Sequence, residues 1–176
     1  MRRKIIVANW KMNPESLREA KELLQPIKRV LPRHRLVEAV ICPPAIFLSE
    51  LQRGSHPANL KFGGQDASAE REGAYTGQLS PTMFKKAGAV YLLVGHSETR
   101  SLGLADTLIN RKVRQALQAG LRAILCVGER ERDPGGAYFK LVKSQLEQDL
   151  KNIPRRFFAQ LSIAYEPLWA ISGQGR

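Results

Sequence analysis

The stretch KIIVANWKMNP, residues 4–14, decides the fold. Its first six residues form a β-rich apolar run, and the turn after them carries the information. An open, doubly wound sheet that binds a nucleotide wants a glycine-rich turn after its first strand, where the backbone meets phosphate. NWKMNP contains no glycine. Working outward, five more runs of the same kind appear: LVEAVIC (36–42), LKFGGQD (60–66), AVYLLVG (89–95), LRAILCVG (121–128) and LSIAY (161–165). They are continuous apolar runs more than alternating ones, the pattern of strands covered on both faces. Six βα-type steps joined by right-handed crossovers predict a parallel sheet, either open or closed into a barrel. The glycine-free first turn favours the barrel.

Helical spacing fills most of the intervals. Leu17, Ala20, Leu23, Leu24 and Ile27 make one apolar stripe. Leu104, Leu108, Ile109, Val113 and Leu117 make a second, and Leu141, Val142, Leu146 and Leu150 a third. Ser80-Pro81 reads as a cap followed by proline in the first turn of a shorter helix that stops at Gly88. Asn13-Pro14 is expected to open the first helix in the same way, and Gly120 to close the helix before the fifth strand.

Composition narrows the function classes. The 176 residues are 43% hydrophobic, enough for one domain with a sizeable core. No run approaches the ~20 apolar residues of a membrane helix. The basic start MRRK leads into an apolar stretch broken by Asn9 and Lys11, too short and polar for a signal peptide, so a cytoplasmic location is expected. Cys42 and Cys126 lie inside apolar runs without metal-ligand spacing and read as buried, reduced thiols. Net charge is +12, but the basic residues are scattered on predicted helices or just after them. No nucleic-acid-binding motif accompanies them, which argues against a specific nucleic-acid partner.

Sites in parallel α/β proteins form at the carboxyl ends of strands. Asn9-Trp10-Lys11 follows the first strand, Gly95-His96-Ser97-Glu98 the fourth, Gly128-Glu129 the fifth and Glu166 the sixth. Singly, Lys11 reads as a surface lysine, His96 as a structural histidine and Glu166 as a turn cap. Together they place an ammonium, an imidazole and a carboxylate at one end of one sheet. A lysine on a stiff turn suits an anionic substrate. His96 precedes a Ser-x-x-Arg segment that reads as a helical turn, and a neutral imidazole there donates to a carbonyl oxygen. Glu166 follows Ile163, Ala164 and Tyr165, an apolar setting expected to make it a stronger base. The set suits proton abstraction beside a carbonyl, on a small, negatively charged sugar or keto acid.

The motifs VANWKMN (7–13), CPP (42–44), GGQDAS (63–68), GAYTGQLSP (73–81), VGHSETR (94–100), CVGE (126–129) and AYEPLWAI (164–171) resemble those of the triosephosphate isomerases, in the family's order and spacing. That family is itself the standard worked case of a glutamate base beside a neutral histidine, so these two assignments come from the resemblance. The resemblance implies a TIM barrel that interconverts dihydroxyacetone phosphate and glyceraldehyde 3-phosphate without metal or cofactor. It implies Glu166 as the base, His96 as the group that polarises the carbonyl, and Lys11 as the stabiliser of negative charge. Asn9 and Ser172 would bind substrate, Glu98 would support Lys11, and Cys126 would be a buried neighbour. The loop around Tyr75-Thr76-Gly77 implies a homodimer.

The sequence departs from the family pattern in places. Thr99 stands where arginine is usual, and Gln78 where glutamate is usual. Ser172 falls where the family uses a glycine whose N–H binds phosphate. A complete barrel takes ~250 residues and eight strands, whereas this sequence predicts a single partial barrel domain of six βα units, ending within the loop after the sixth strand. Strands 1 and 6 are then expected to present unpaired edges. The alternative reading is an inactive chain acting as a binding or assembly module.

Overall fold

The computed structural model describes residues 4–170. Six strands lie side by side in chain order: β1 (Lys4–Asn9), β2 (Val37–Cys42), β3 (Leu60–Gly64), β4 (Tyr91–Val94), β5 (Arg122–Val127) and β6 (Leu161–Tyr165). Each neighbouring pair is parallel, and the sheet curls as an incomplete TIM barrel. Parallel strands need long crossovers, and six helices supply them: α1 (Leu17–Val30), α2 (Ala45–Gln52), α3 (Pro81–Lys86), α4 (Ser97–Ser101), α5 (Asp106–Gln118) and α6 (Ala137–Asp149). No helix among the described residues is long and apolar enough to cross a membrane.

Alternation along the strands sorts the core into two layers. Ile41, Phe62, Leu92, Val94, Leu125 and Val127 pack with helix residues such as Leu48, Ile109, Val113 and Leu117. Val40, Cys42, Tyr91, Leu93, Ile124 and Cys126 form a second cluster on the opposite face of the sheet. The expectation of strands covered on both faces holds for β2 and β4, whose residues are nearly all buried. It fails at the edges: Ile6 is 59% exposed and Ile163 46%. Among the described residues β1 pairs only with β2, and β6 only with β5, so apolar composition there is not matched by burial.

The helices refine the sequence reading. Asn13-Pro14 does not open α1; that peptide bond is cis, and the helix begins three residues after Pro14. The start is set by Ser16, whose extended backbone lets its hydroxyl accept the Glu19 N–H at 3.3 Å, a Ser-x-x-Glu capping pattern that answers an otherwise unpaired helix-end donor. Leu23 leaves the predicted stripe and is half exposed, while Ala20 and Leu24 carry the burial, because 20 and 24 are one turn apart on the same face. Leu141 is likewise exposed on α6, and Val142, Leu146 and Leu150 pack inward. Ser80 caps α3 as predicted, accepting the Met83 N–H. Gly120 follows α5 with φ +75°, a left-handed turn that glycine takes without steric cost.

Candidate active site

The carboxyl ends of the strands bring the predicted groups together. At the exit of β1 the chain turns sharply, and Lys11 adopts φ +55°. Asn9 stabilises this conformation by accepting the Lys11 N–H through Oδ1 at 2.9 Å. Gln65, just past β3, donates to the Lys11 carbonyl at 2.8 Å and to the Cys42 carbonyl at 2.9 Å. One amide thus ties the Lys11 turn to the ends of β2 and β3. The Lys11 ammonium lies 2.7 Å from Glu98 Oε1.

His96 is buried at the N-terminus of α4. The Glu98 N–H donates to His96 Nδ1 at 3.3 Å. That nitrogen therefore presents a lone pair, and the proton of the neutral ring resides on Nε2. His96 Nε2 lies 3.7 Å from Glu166 Oε2. Thr99, at the position that departs from the family pattern, donates through Oγ1 to the His96 carbonyl at 2.8 Å.

Glu166 leaves β6 with its N–H donated to the Val127 carbonyl at 2.8 Å. Its Oε2 is buried and makes no hydrogen bond. Cys126 lies beside it; burial pushes the Cys126 thiol well up, and the neighbouring Glu166 charge adds to this. Burial alone pushes the Cys42 thiol up to about 12. Both cysteines are free and buried. Gly128 makes room for the passage of the β6 exit: a Cβ there would stand 2.2 Å from the Glu166 carbonyl oxygen. The approach requires glycine.

Sequence reasoning noted Glu129 only as a strand-end carboxylate and gave no role to Gln65 or Arg132. Glu129 is 1% exposed and accepts from the Tyr165 hydroxyl at 2.9 Å, from Trp169 Nε1 at 2.8 Å and from Arg132 at 3.4 Å. Burial works to raise its carboxyl, but the donors Trp169, its own backbone N–H, Tyr165 and Arg132 outweigh burial and hold it below the usual glutamate range. Its position at the end of β5, by the same rule that found Glu166, was the available signal.

Behind His96 and Cys126 lies Arg100. It donates to the Gly95 carbonyl at 2.9 Å and the Cys126 carbonyl at 3.0 Å, and it pairs with Asp106 at 2.6 Å and Asp149 at 2.5 Å. A cavity of about 700 Å³ lies elsewhere, between residues 65–79 and α5. Its charges are already matched, Lys112 with Asp66 at 2.6 Å and Arg111 with Glu70, so the acid–base groups and not this cavity mark the candidate site. Ser172 lies outside the described residues. No group of three or more His, Cys, Asp or Glu side chains suited to a metal occurs among the described residues.

These features define a parallel βα-barrel protein whose acid–base groups gather at the carboxyl ends of its strands. The family model for triosephosphate isomerase matches residues 4–176. The triosephosphate isomerase of Alkaliphilus oremlandii is 39% identical over 178 residues, covering all of this chain and 71% of that protein. That of a Thermoanaerobacter species is 40% identical over 182 residues, again covering all of this chain and 71% of the relative. The crystal structure of triosephosphate isomerase from Bartonella henselae superposes with a TM-score of 0.83 at 37% identity, over 95% of this chain and 69% of that one. The chain belongs to the triosephosphate isomerase family, a family of isomerases.

Proposed function

We propose that this site interconverts dihydroxyacetone phosphate and glyceraldehyde 3-phosphate. The observation that carries the proposal is the pairing of a buried, unbonded Glu166 oxygen with a histidine nitrogen 3.7 Å away. Glu166 takes a proton from C1 of dihydroxyacetone phosphate, and the C–H electron pair becomes the C1–C2 double bond. The C2 carbonyl oxygen gains the displaced charge, which His96 Nε2–H meets by donating. Lys11 stabilises the same negative charge, and Glu98 holds its ammonium in place. His96 then moves a proton from the oxygen on C1 to the oxygen on C2. Glu166 returns its proton to C2, giving glyceraldehyde 3-phosphate, and both groups end in their starting state. Asn9 holds the turn that presents Lys11 and contacts substrate.

The reading extends to assembly and setting. The chain forms one partial barrel domain and acts as a cytoplasmic homodimer through the loop around Thr76. That loop is built to project: Ser68 N–H donates to the Leu79 carbonyl at its base, Gln78 N–H to the Tyr75 carbonyl at its tip, and Tyr75 and Leu79 are exposed.

The test is turnover of glyceraldehyde 3-phosphate by the purified protein beside a Glu166→Gln variant. Loss of turnover in the variant supports the reading. Equal turnover in both overturns it.

A further inference from the structure

Arg132 occupies an unusual setting for a loop arginine. Its guanidinium carbon lies 4.3 Å from the centre of the Tyr138 ring and 4.7 Å from that of Trp169. It also donates to the Tyr165 hydroxyl at 2.8 Å and reaches Glu129 at 3.4 Å. Tyr165 and Trp169 flank Glu166 in sequence, one residue before it and three after. Both are therefore attached to the same cation. Leu168 N–H donates to the Glu129 carbonyl at 2.8 Å, which fixes the backbone between them.

The neighbouring residue prepares the Tyr138 side of this setting. Asp133 accepts the Ala137 N–H at 2.9 Å and the Tyr138 N–H at 3.0 Å. It thereby anchors the start of α6, where the Tyr138 ring meets the Arg132 guanidinium. A planar guanidinium can lie against an aromatic face and hydrogen-bond at its edge at the same time; an ammonium cannot do both. The contacts use that property, with an aromatic ring against the guanidinium and a hydroxyl and a carboxylate at its edge.

We propose that Arg132 is a positioning residue: held by the rings of Tyr138 and Trp169 and by the Tyr165 hydroxyl, it pins both sides of Glu166 and holds that carboxylate against His96. The assignment rests on the acid–base reading of Glu166 and His96 given above. It adds a residue from the loop after β5 that touches neither substrate nor the reacting carboxylate.

The test does not depend on turnover. The chain has two tryptophans, Trp10 and Trp169, so a Trp10→Phe background leaves Trp169 as the only indole. In that background Arg132→Ala, Arg132→Lys and Tyr138→Leu are compared by acrylamide quenching of Trp169 and by the ring ¹⁵N signal of His96. Losing one exposed cation–π contact raises the population with Trp169 released about two- to fivefold. The expected result is faster quenching and a shifted His96 Nε2 signal in Arg132→Ala and Tyr138→Leu. Arg132→Lys keeps the charge without the planar face and is expected to resemble Arg132→Ala. Arg132→Lys and Tyr138→Leu decide the matter if Arg132→Ala does not fold by circular dichroism. Quenching unchanged in the variants that fold, full recovery by lysine, or an unmoved His96 signal would each overturn the assignment. Failure of the isomerase reading shows separately, as turnover that survives Glu166→Gln.

Discussion

Lys11 and Glu98 meet at 2.7 Å although they follow β1 and β4, strands separated in the sheet by β2 and β3. The curl of the sheet brings them together, and their ion pair joins the Lys11 turn to the His96 helix. Both side chains are 44% exposed, so the pair contributes under about 1 kcal/mol to stability. Glu98→Gln should barely move the melting temperature. Misplacing the ammonium should cost on the order of tenfold to a hundredfold in kcat, as read by steady-state isomerisation.

Arg100 is the larger structural risk. Its partner Asp149 is fully buried. Arg100→Met leaves that carboxylate without its cation and the Gly95 and Cys126 carbonyls without their donor. Denaturant unfolding should show a loss of about 3–5 kcal/mol. Asp149→Asn, which removes the charge and keeps the shape, should cost less.

Asp149 also predicts a pH dependence. Burial pushes its carboxyl up to about 6 from an ordinary 3.8, against the opposing pull of Arg100. The folded chain therefore holds this proton over a range where the unfolded chain has released it. The contribution to stability is full below the unfolded value and is lost as pH rises through about 6. Asp149→Asn should flatten this part of the stability–pH curve, and an unchanged curve would remove Asp149 as its source.

Gly128→Ala places a methyl group where the Glu166 carbonyl passes. The exit of β6 must shift, at a cost of at least about 1–3 kcal/mol for overpacking. Thermal unfolding should register the loss. Turnover should fall with it, because the displaced backbone carries the candidate base.

The two thiols should be silent in the folded chain. With Cys42 pushed up to about 12 and Cys126 raised as well, thiolate is scarce near pH 8. Reaction with a disulfide reagent should be about a thousandfold slower than after unfolding in denaturant. Fast native labelling at either position would contradict the burial.

The six strands were legible because each is a short apolar run bounded by turn residues, and parallel order follows from the intervening helices. The start of α1 was not, since Asn13-Pro14 and Ser16-x-x-Glu19 both carry start signals three residues apart, and only the Ser16 hydroxyl accepts a helix-end N–H. The exposure of Leu23 and Leu141 depends on which face meets the sheet, a fact of packing. At the site, Asn9, Lys11, His96, Glu98 and Glu166 stood out by strand-end position. Gln65 did not, because its work is done on the carbonyl of Lys11, 54 residues away in the chain. Arg132 did not either, since a loop arginine gains meaning only from the two rings around it.

The Glu98 N–H donates to His96 Nδ1 at the first turn of α4. A backbone N–H aimed at that nitrogen favours a lone pair there over a proton. The turn that starts the helix thus also biases the ring toward one tautomer. Returning the proton to Nε2 restores a contact of the turn itself, while the Arg100 N–H on the His96 carbonyl holds the start of the helix in either case.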